Sequence, residues 1–285
     1  MPGLTDALHI AYRSRPVKPA RDTWINPALA LALCAAAGVL CSWLRTPLPW
    51  MIGPMVAMAA LNFAGARLRA PAGGRQIGQI IIGIALGLYF TPSVAREVAS
   101  YWHLLLAAAL FAILLGWACG WFVARVTDAD RTTAFFASVP GGAAEMTLLG
   151  EHFGARADRV ALAQSLRILA VVIAVPFALT YSGVQGADTV RPVEVALDPA
   201  KLALLFAIAA ATGGVLALVR APNAFMLGPL FATIALTANE VQFSALPGAL
   251  VNAGQLLLGC ALGSRFEQQF LSRVPRYVAA ILVSI

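Results

Sequence analysis

The sequence predicts an all-α polytopic membrane protein of about ten membrane elements in two repeats, and three observations carry that expectation. The 285 residues are 60% hydrophobic and only 12% charged, a balance far from that of a soluble domain. Apolar stretches close to the roughly 20 residues a helix needs to cross a hydrocarbon core recur along nearly the whole chain, where a barrel would show alternating ten-residue segments. Two segments also return at one spacing. WMIGPM, Trp50 to Met55, is echoed by FMLGPL, Phe225 to Leu230, and GQIIIGIALGLYF, Gly78 to Phe90, by GQLLLGCALGSRF, Gly254 to Phe266. Offsets of 175 and 176 residues keep three glycines and a glutamine in register, the mark of a duplication.

The elements follow in order from apolar runs and from Pro, Gly and charge breaks. Residues 1–24 carry Arg13, Arg15, Lys18 and Arg21, and no cleavage site follows the first apolar run, so they read as a retained cytoplasmic tail. Residues 25–181 form the first membrane repeat. Its elements are Asn26 to Leu44, Pro49 to Ala66, Gln76 to Phe90, Trp102 to Val123, Thr132 to Gly150 and Val160 to Tyr181. The polar stretch 182–198, SGVQGADTVRPVEVALD, reads as a linker. Residues 199–285 form the second repeat, with Pro199 to Val219, Asn223 to Ala238, Pro247 to Ser264 and Pro275 to Ile285. Gly53-Pro54 and Gly228-Pro229 mark interruptions or kinks of the second element of each repeat. Gly78, Gly83 and Gly87, with their copies Gly254, Gly259 and Gly263, have the small-residue spacing that lets helix backbones approach.

The fifth element contains SVPGGAAEM, Ser138 to Met146. Pro140 has no N–H to donate, and Gly141 and Gly142 weaken the helix further, so a continuous helix is not expected there. A break at membrane depth is tolerated only inside protein or beside a water-filled cavity. If this element enters and leaves on the cytoplasmic face, the Lys and Arg of the connecting segments fall predominantly on the inside; if it spans, the bias almost vanishes. The first repeat then crosses an odd number of times, the second runs the opposite way, and the two are inverted repeats of the transporter type.

An ionisable group at membrane depth costs about 2.5–3.5 kcal/mol at a helix centre, which makes Glu145 a functional candidate. Arg167, alone in the apolar run SLRILAVVIAVPF, is its expected partner, with a structural ion pair as the competing reading. Glu151, His152, Arg156, Asp158 and Arg159 read as a solvated loop. Gln79 and Gln255 put an amide at the same point of each repeat, where each must find a hydrogen-bond partner or face a shared site.

These residues resemble a known family. The twice-occurring GP and GQ...G...G patterns, VPGGAAEM and the following AQSLRILAVV are similar to the bacterial membrane AbrB family, a duplicated multi-spanning class, over nearly the whole chain. The resemblance implies a site motif at Pro140, Gly141, Gly142, Glu145 and Met146, with Gln164 and Arg167 downstream. Members have been labelled both ammonia monooxygenase and regulator of gene expression, and the name is shared with an unrelated small DNA-binding protein of swapped-hairpin fold. Members also carry a Pro-Gly-Gly-type motif in each repeat, and the second would fall near position 315, past Ile285. The final apolar run of eleven residues rises only about 16 Å as a helix, so the second repeat is expected to be truncated.

Composition and motif narrow the function classes. His9, His103 and His152 are scattered, which argues against an oxygenase metal centre and leaves no metal or cofactor expected. Cys34, Cys41, Cys119 and Cys260 lie in apolar runs without CxxC spacing and read as packing residues. No segment long enough for a DNA-reading module is left, so direct nucleic-acid contact is not expected. The expectation is a non-enzymatic inner-membrane secondary transporter or permease of unknown substrate. Its partners are the lipid bilayer and a small molecule or ion, and a homo-oligomer stays open. The alternative is a membrane-bound protein that acts indirectly on gene expression. Glu145 with Arg167, the broken backbone of Pro140 to Gly142, Gln79, Gln255 and Gln164 are the expected ligands.

Overall fold

The computed structural model of the chain describes residues 25–66, 68–183, 197–239, 241, 244–266 and 275–284. The expected cytoplasmic tail and most of the expected linker lie outside the described residues. Among the described residues there are twelve helices and no strands: α1 Ile25–Trp43, α2 Pro49–Phe63, α3 Gly74–Leu88, α4 Pro92–Ser100, α5 Trp102–Val126, α6 Arg131–Ser138, α7 Ala143–His152, α8 Ala157–Tyr181, α9 Pro199–Leu218, α10 Ala224–Ala238, α11 Gly248–Gly263 and α12 Pro275–Ser284. The chain is a polytopic helical membrane protein. Helices α5, α8 and α9 are each long and apolar enough to cross a bilayer, and α3 with α4 would make a fourth span bent by 86°.

The duplication reappears as an exchange of partners. Helix α1 packs on α2 as α9 packs on α10, but α3 of the first repeat packs along α10 of the second, and α11 of the second along α2 of the first. The glycine ladder makes this possible. A Cβ at Gly83 would sit 2.7 Å from the Met226 carbonyl oxygen and 3.1 Å from Pro229 Cβ; at Gly259 it would sit 2.5 Å from the Met51 carbonyl oxygen and 3.1 Å from Pro54 Cβ. Gly87 and Gly263 repeat the relation one turn on, against Thr233 and Met58. The two ladder helices cross each other where a Cβ at Gly78 would meet Leu257 and Leu258 and one at Gly254 would meet Ile81. Advancing along α3 means retreating along α11, so the equivalent helices run antiparallel and the repeats have opposite senses there.

The GP pairs are neither breaks nor free kinks. Both α2 and α10 continue through their internal proline. Gly53 lies on the Ala37 carbonyl of α1 and Gly228 on Gly213 of α9, while the following proline faces the ladder of the other repeat. Two adjacent residues thus serve two neighbouring helices. The turns leading into these helices are copied too: Arg45 and Leu48 have φ of 53° and 45°, and Arg220 and Asn223 have 57° and 48°. Asn is among the few side chains that accept the left-handed region readily; Leu is not.

Two features differ from the ten-element reading. Helix α4 was not expected, although Thr91-Pro92 is a start signal: the Thr91 hydroxyl accepts the Val94 N–H at 3.4 Å and Pro92 stands at the first turn. Its sequence PSVAREVAS is too polar to register as a membrane element. The fifth element is two helices that fold back on each other. Thr133 Oγ1, early in α6, accepts the backbone N–H of Arg156, just past α7, at 2.8 Å. The rings of Phe136 and Phe153 stack at 5.9 Å, and Gly150 abuts Phe136. The beginning and end of the element lie together, so it is a hairpin with its tip at Val139 to Gly142.

Two outcomes follow. Gly83→Ala and Gly259→Ala should each destabilise by about 1–3 kcal/mol, since backbone carbonyls cannot yield as a side chain would. Gly214→Ala, with nothing within 4 Å of its Cβ position, should not lower the melting temperature. Cysteines placed at Arg131 and Arg156 in a cysteine-free background should react with an impermeant reagent from the same side of the membrane; labelling from opposite sides would refute the hairpin.

Candidate functional site

A helix that stops inside an apolar layer leaves carbonyls without partners, and α6 stops at Ser138 because Pro140 cannot continue it. The chain supplies donors from α8. Gln164, buried to 1% exposure, donates Nε2–H to the carbonyls of Phe136 at 2.8 Å and Val139 at 3.0 Å. One turn on, Arg167 Nη2 donates to the carbonyls of Ala137, at 3.1 Å, and Ser138. The Q-x-x-R spacing sets both side chains on one helix face, where they cap the last turn of α6. The guanidinium also places a cation at the negative end of that helix.

Glu145 occupies the other side of the break. It is the third residue of α7, whose N-cap is Gly142, and its carboxylate folds back over that glycine. A Cβ at position 142 would collide with Glu145 Oε2, and one at Gly141 would come within 2.7 Å of the Met146 side chain. The Pro-Gly-Gly-x-x-Glu-Met pattern is therefore a packing unit: Pro140 ends one helix, the two glycines make room, and the carboxylate covers the positive start of the next. Gly116 of α5 completes it, since a Cβ there would sit 2.8 Å from Pro140 Cδ. Gly116 lies two residues past Leu114, the middle residue of α5, so the tip reaches halfway along a helix of spanning length.

The expected pairing of Glu145 with Arg167 is not formed. Among the described residues no ion pair or hydrogen bond joins them; each meets backbone at its own side of the break. Arg265, just beyond the end of α11, lies within electrostatic range of Glu145 and of Arg75 at the start of α3. Arg75 Nη2 and Gln79 Nε2 both donate to Asn223 Oδ1, at 3.3 and 3.4 Å. Gln255 has no such partner, because Leu48 stands where the second repeat has Asn223, and no hydrogen bond joins the two glutamines. Arg75, Gln79 and Asn223 thus form a polar cluster where the start of α3 meets the start of α10, and Arg265 carries a charge that both Arg75 and Glu145 influence. Behind the tip, Arg167 Nη1 and the Ser138 hydroxyl are buried without a partner.

Arg75, Asn223 and Arg265 belong to none of the motifs that mark a site in the sequence. The available signal was that Arg75 and Arg265 flank the two copies of the glycine ladder. Arg159 was also misplaced: it is not in a solvated loop but in the first turn of α8, 4% exposed, bidentate to Asp128 at 3.0 and 3.2 Å and 5.4 Å from the Tyr277 ring centre. The Arg159 hydrogen bonds hold the Asp128 carboxyl below its ordinary range. Tyr277 on α12 donates to the Arg159 carbonyl at 3.2 Å, which ties the last helix to the hairpin base.

If Glu145 and Arg167 act independently, Glu145→Gln and Arg167→Met should be additive in thermal stability to within about 0.5 kcal/mol, and a double-mutant coupling above about 1 kcal/mol would show that they pair. Gln164→Leu should cost about 1–3 kcal/mol, because it strands two carbonyls at the break.

A family model described as "Transition state regulatory protein AbrB" matches residues 50–285. The chain is 30% identical over 257 residues to "Putative regulator AbrB" of Escherichia coli (strain K12), covering 90% of this chain and 73% of that protein. It is 28% identical over 165 residues to "Uncharacterized protein YhjN" of Bacillus subtilis (strain 168), covering 55% of this chain and 42% of that one. No solved structure matches.

Proposed function

The chain belongs to the AbrB family, and on that premise we propose that it is a secondary transporter or permease of the bacterial inner membrane whose binding site is the hairpin tip. The observation that carries this reading is the hairpin itself. Its broken backbone stands halfway along a spanning-length helix and carries Glu145, whose charge acts on Arg265. Broken helices at mid-depth between inverted repeats are where such proteins bind their cargo.

The charge balance here favours a small anionic cargo. Arg265 and Arg75 are two guanidiniums against the single carboxylate of Glu145, and Gln79 and Asn223, hydrogen-bonded beside Arg75, add amide groups for a polar substituent. An arriving anion would compete with Glu145 for Arg265, and a proton delivered to Glu145 would remove that competition. In this reading Glu145 carries the coupling proton, with no ion pair to Arg167. The cytoplasmic placement of the N-terminus and of the hairpin base rests on the distribution of Lys and Arg.

A second reading has one observation in its favour: the printed names of the family model and of the Escherichia coli relative describe regulators. A membrane protein acting indirectly on gene expression would carry no flux. Uptake of a panel of small labelled carboxylates into proteoliposomes, driven by an imposed pH gradient, separates the two. The expected result is wild-type uptake that falls about tenfold or more in Glu145→Gln and in Arg265→Gln, the scale of one lost charge-assisted hydrogen bond, with melting temperatures unchanged. Uptake in Glu145→Gln equal to wild type would remove the coupling role, and the absence of flux for every anion would favour the regulatory reading.

A further inference from the structure

A cavity of about 760 Å³ opens between the C-terminal half of α5 and the hairpin base, with none of Glu145, Arg167, Gln164, Gln79 or Gln255 in its lining. Its wall is aromatic, with Trp117 and Trp121 from α5, Phe135 from α6 and Phe153 after α7; Arg125 and Arg131 also line it. The arrangement is graded along the helix. Arg125 is the penultimate residue of α5, at the end of a spanning-length helix, and Trp121 and Trp117 lie one and two turns toward its middle, about 6 and 12 Å along the axis. Arg131 opens α6 beside it.

Both guanidiniums are exposed and neither has a carboxylate partner among the described residues. The acids of the connecting loop are committed elsewhere: Asp128 holds Arg159, and Asp130 accepts the Thr133 N–H at 2.9 Å as the N-cap of α6. Arg125 lies 4.2 Å from the Trp121 ring centre, a contact that holds its charge at the cavity without neutralising it. A water occupies about 30 Å³, so the space far exceeds what a small inorganic anion needs. With α5 as a span, its polar end would stand at headgroup level and its apolar end in the hydrocarbon region.

We infer that this cavity is a site for one anionic phospholipid, with the phosphate between Arg125 and Arg131 and an acyl chain against Trp117, Trp121 and Phe135. Basic groups at the end of a span attract anionic headgroups, and the aromatic wall supplies the interfacial partner for the chain. The lipid would bridge α5 and α6, and so would brace the base of the hairpin. This is independent of whether the hairpin tip binds cargo.

The test uses the intact protein in phosphatidylcholine vesicles containing a minor fraction of brominated lipid, either phosphatidylglycerol or phosphatidylcholine, and reads tryptophan quenching. Subtracting the quenching of a Trp117→Phe, Trp121→Phe variant isolates the two cavity tryptophans. The expected result is a preference for brominated phosphatidylglycerol of roughly tenfold to thirtyfold, the order set by two surface cations. Arg125→Gln with Arg131→Gln should bring the preference to near unity, and Arg125→Lys with Arg131→Lys should keep most of it. If the glutamine variant does not fold, the lysine variant and the wild-type preference still decide. Equal quenching by the two headgroups overturns the proposal. So does loss of the preference on adding inorganic phosphate at matched ionic strength, which would make the cavity a site for free phosphate.

Discussion

The capping of α6 by Gln164 and Arg167 is the interaction on which the neighbourhood of the break depends. Pro140 removes the continuation of the helix, and the carbonyls it exposes cannot be left to an apolar surrounding. Two side chains one turn apart on α8 supply donors to four successive carbonyls, from Phe136 to Val139. That requirement fixes the register of α8 against α6. It also places Gly116 against Pro140, and Gly141 and Gly142 where their missing side chains leave room for Met146 and Glu145. The motif that looks like a binding signature is first a solution to a hydrogen-bonding problem. Any binding role is added to it through the one charged group that the capping does not use, the carboxylate of Glu145.

A different constraint governs the six duplicated helices, α1 to α3 and α9 to α11. In an apolar solvent the close approach of backbones substitutes for hydrophobic burial as the source of cohesion, and each contact demands a residue without a side chain. A Cβ at Gly83 or Gly259, Gly87 or Gly263, and Gly53 or Gly228 would come within about 3 Å of backbone or first side-chain atoms of a neighbour. The same contacts occur twice because the same sequence occurs twice. A glycine ladder of one repeat that finds the GP helix of the other can bind the halves together only as a closed, reciprocal pair, which is the logic of an isologous interface inside one chain.

Where the two copies differ, polar chemistry collects. Asn223 replaces Leu48 at the left-handed residue that opens the second GP helix, and it becomes the acceptor for both Gln79 and Arg75. Arg265 has Tyr89 as its counterpart in the first repeat. Asn223, Arg75 and Gln79 gather where the start of α10 meets the start of α3, so this polar cluster has no counterpart at the start of α2 and α11.

The duplication, the helical membrane character, the break at Pro140 and the close approach at the glycines were all legible in the sequence. Each is a local or periodic property, carried by residue types that admit few alternatives: Pro cannot donate, Gly alone fits a backbone contact, and a repeat is visible by comparison with itself. The hairpin was legible indirectly, through the distribution of Lys and Arg. What only the tertiary structure decided were the partners. Arg167 lies with carbonyls and not with Glu145, Arg159 is buried against Asp128 and Tyr277, and Gln79 reaches Asn223 from a residue 144 positions away. A charge in a sequence announces that it must be satisfied. Which group satisfies it depends on where other elements leave an orphaned carbonyl or a free carboxylate, and that is settled only when the helices pack.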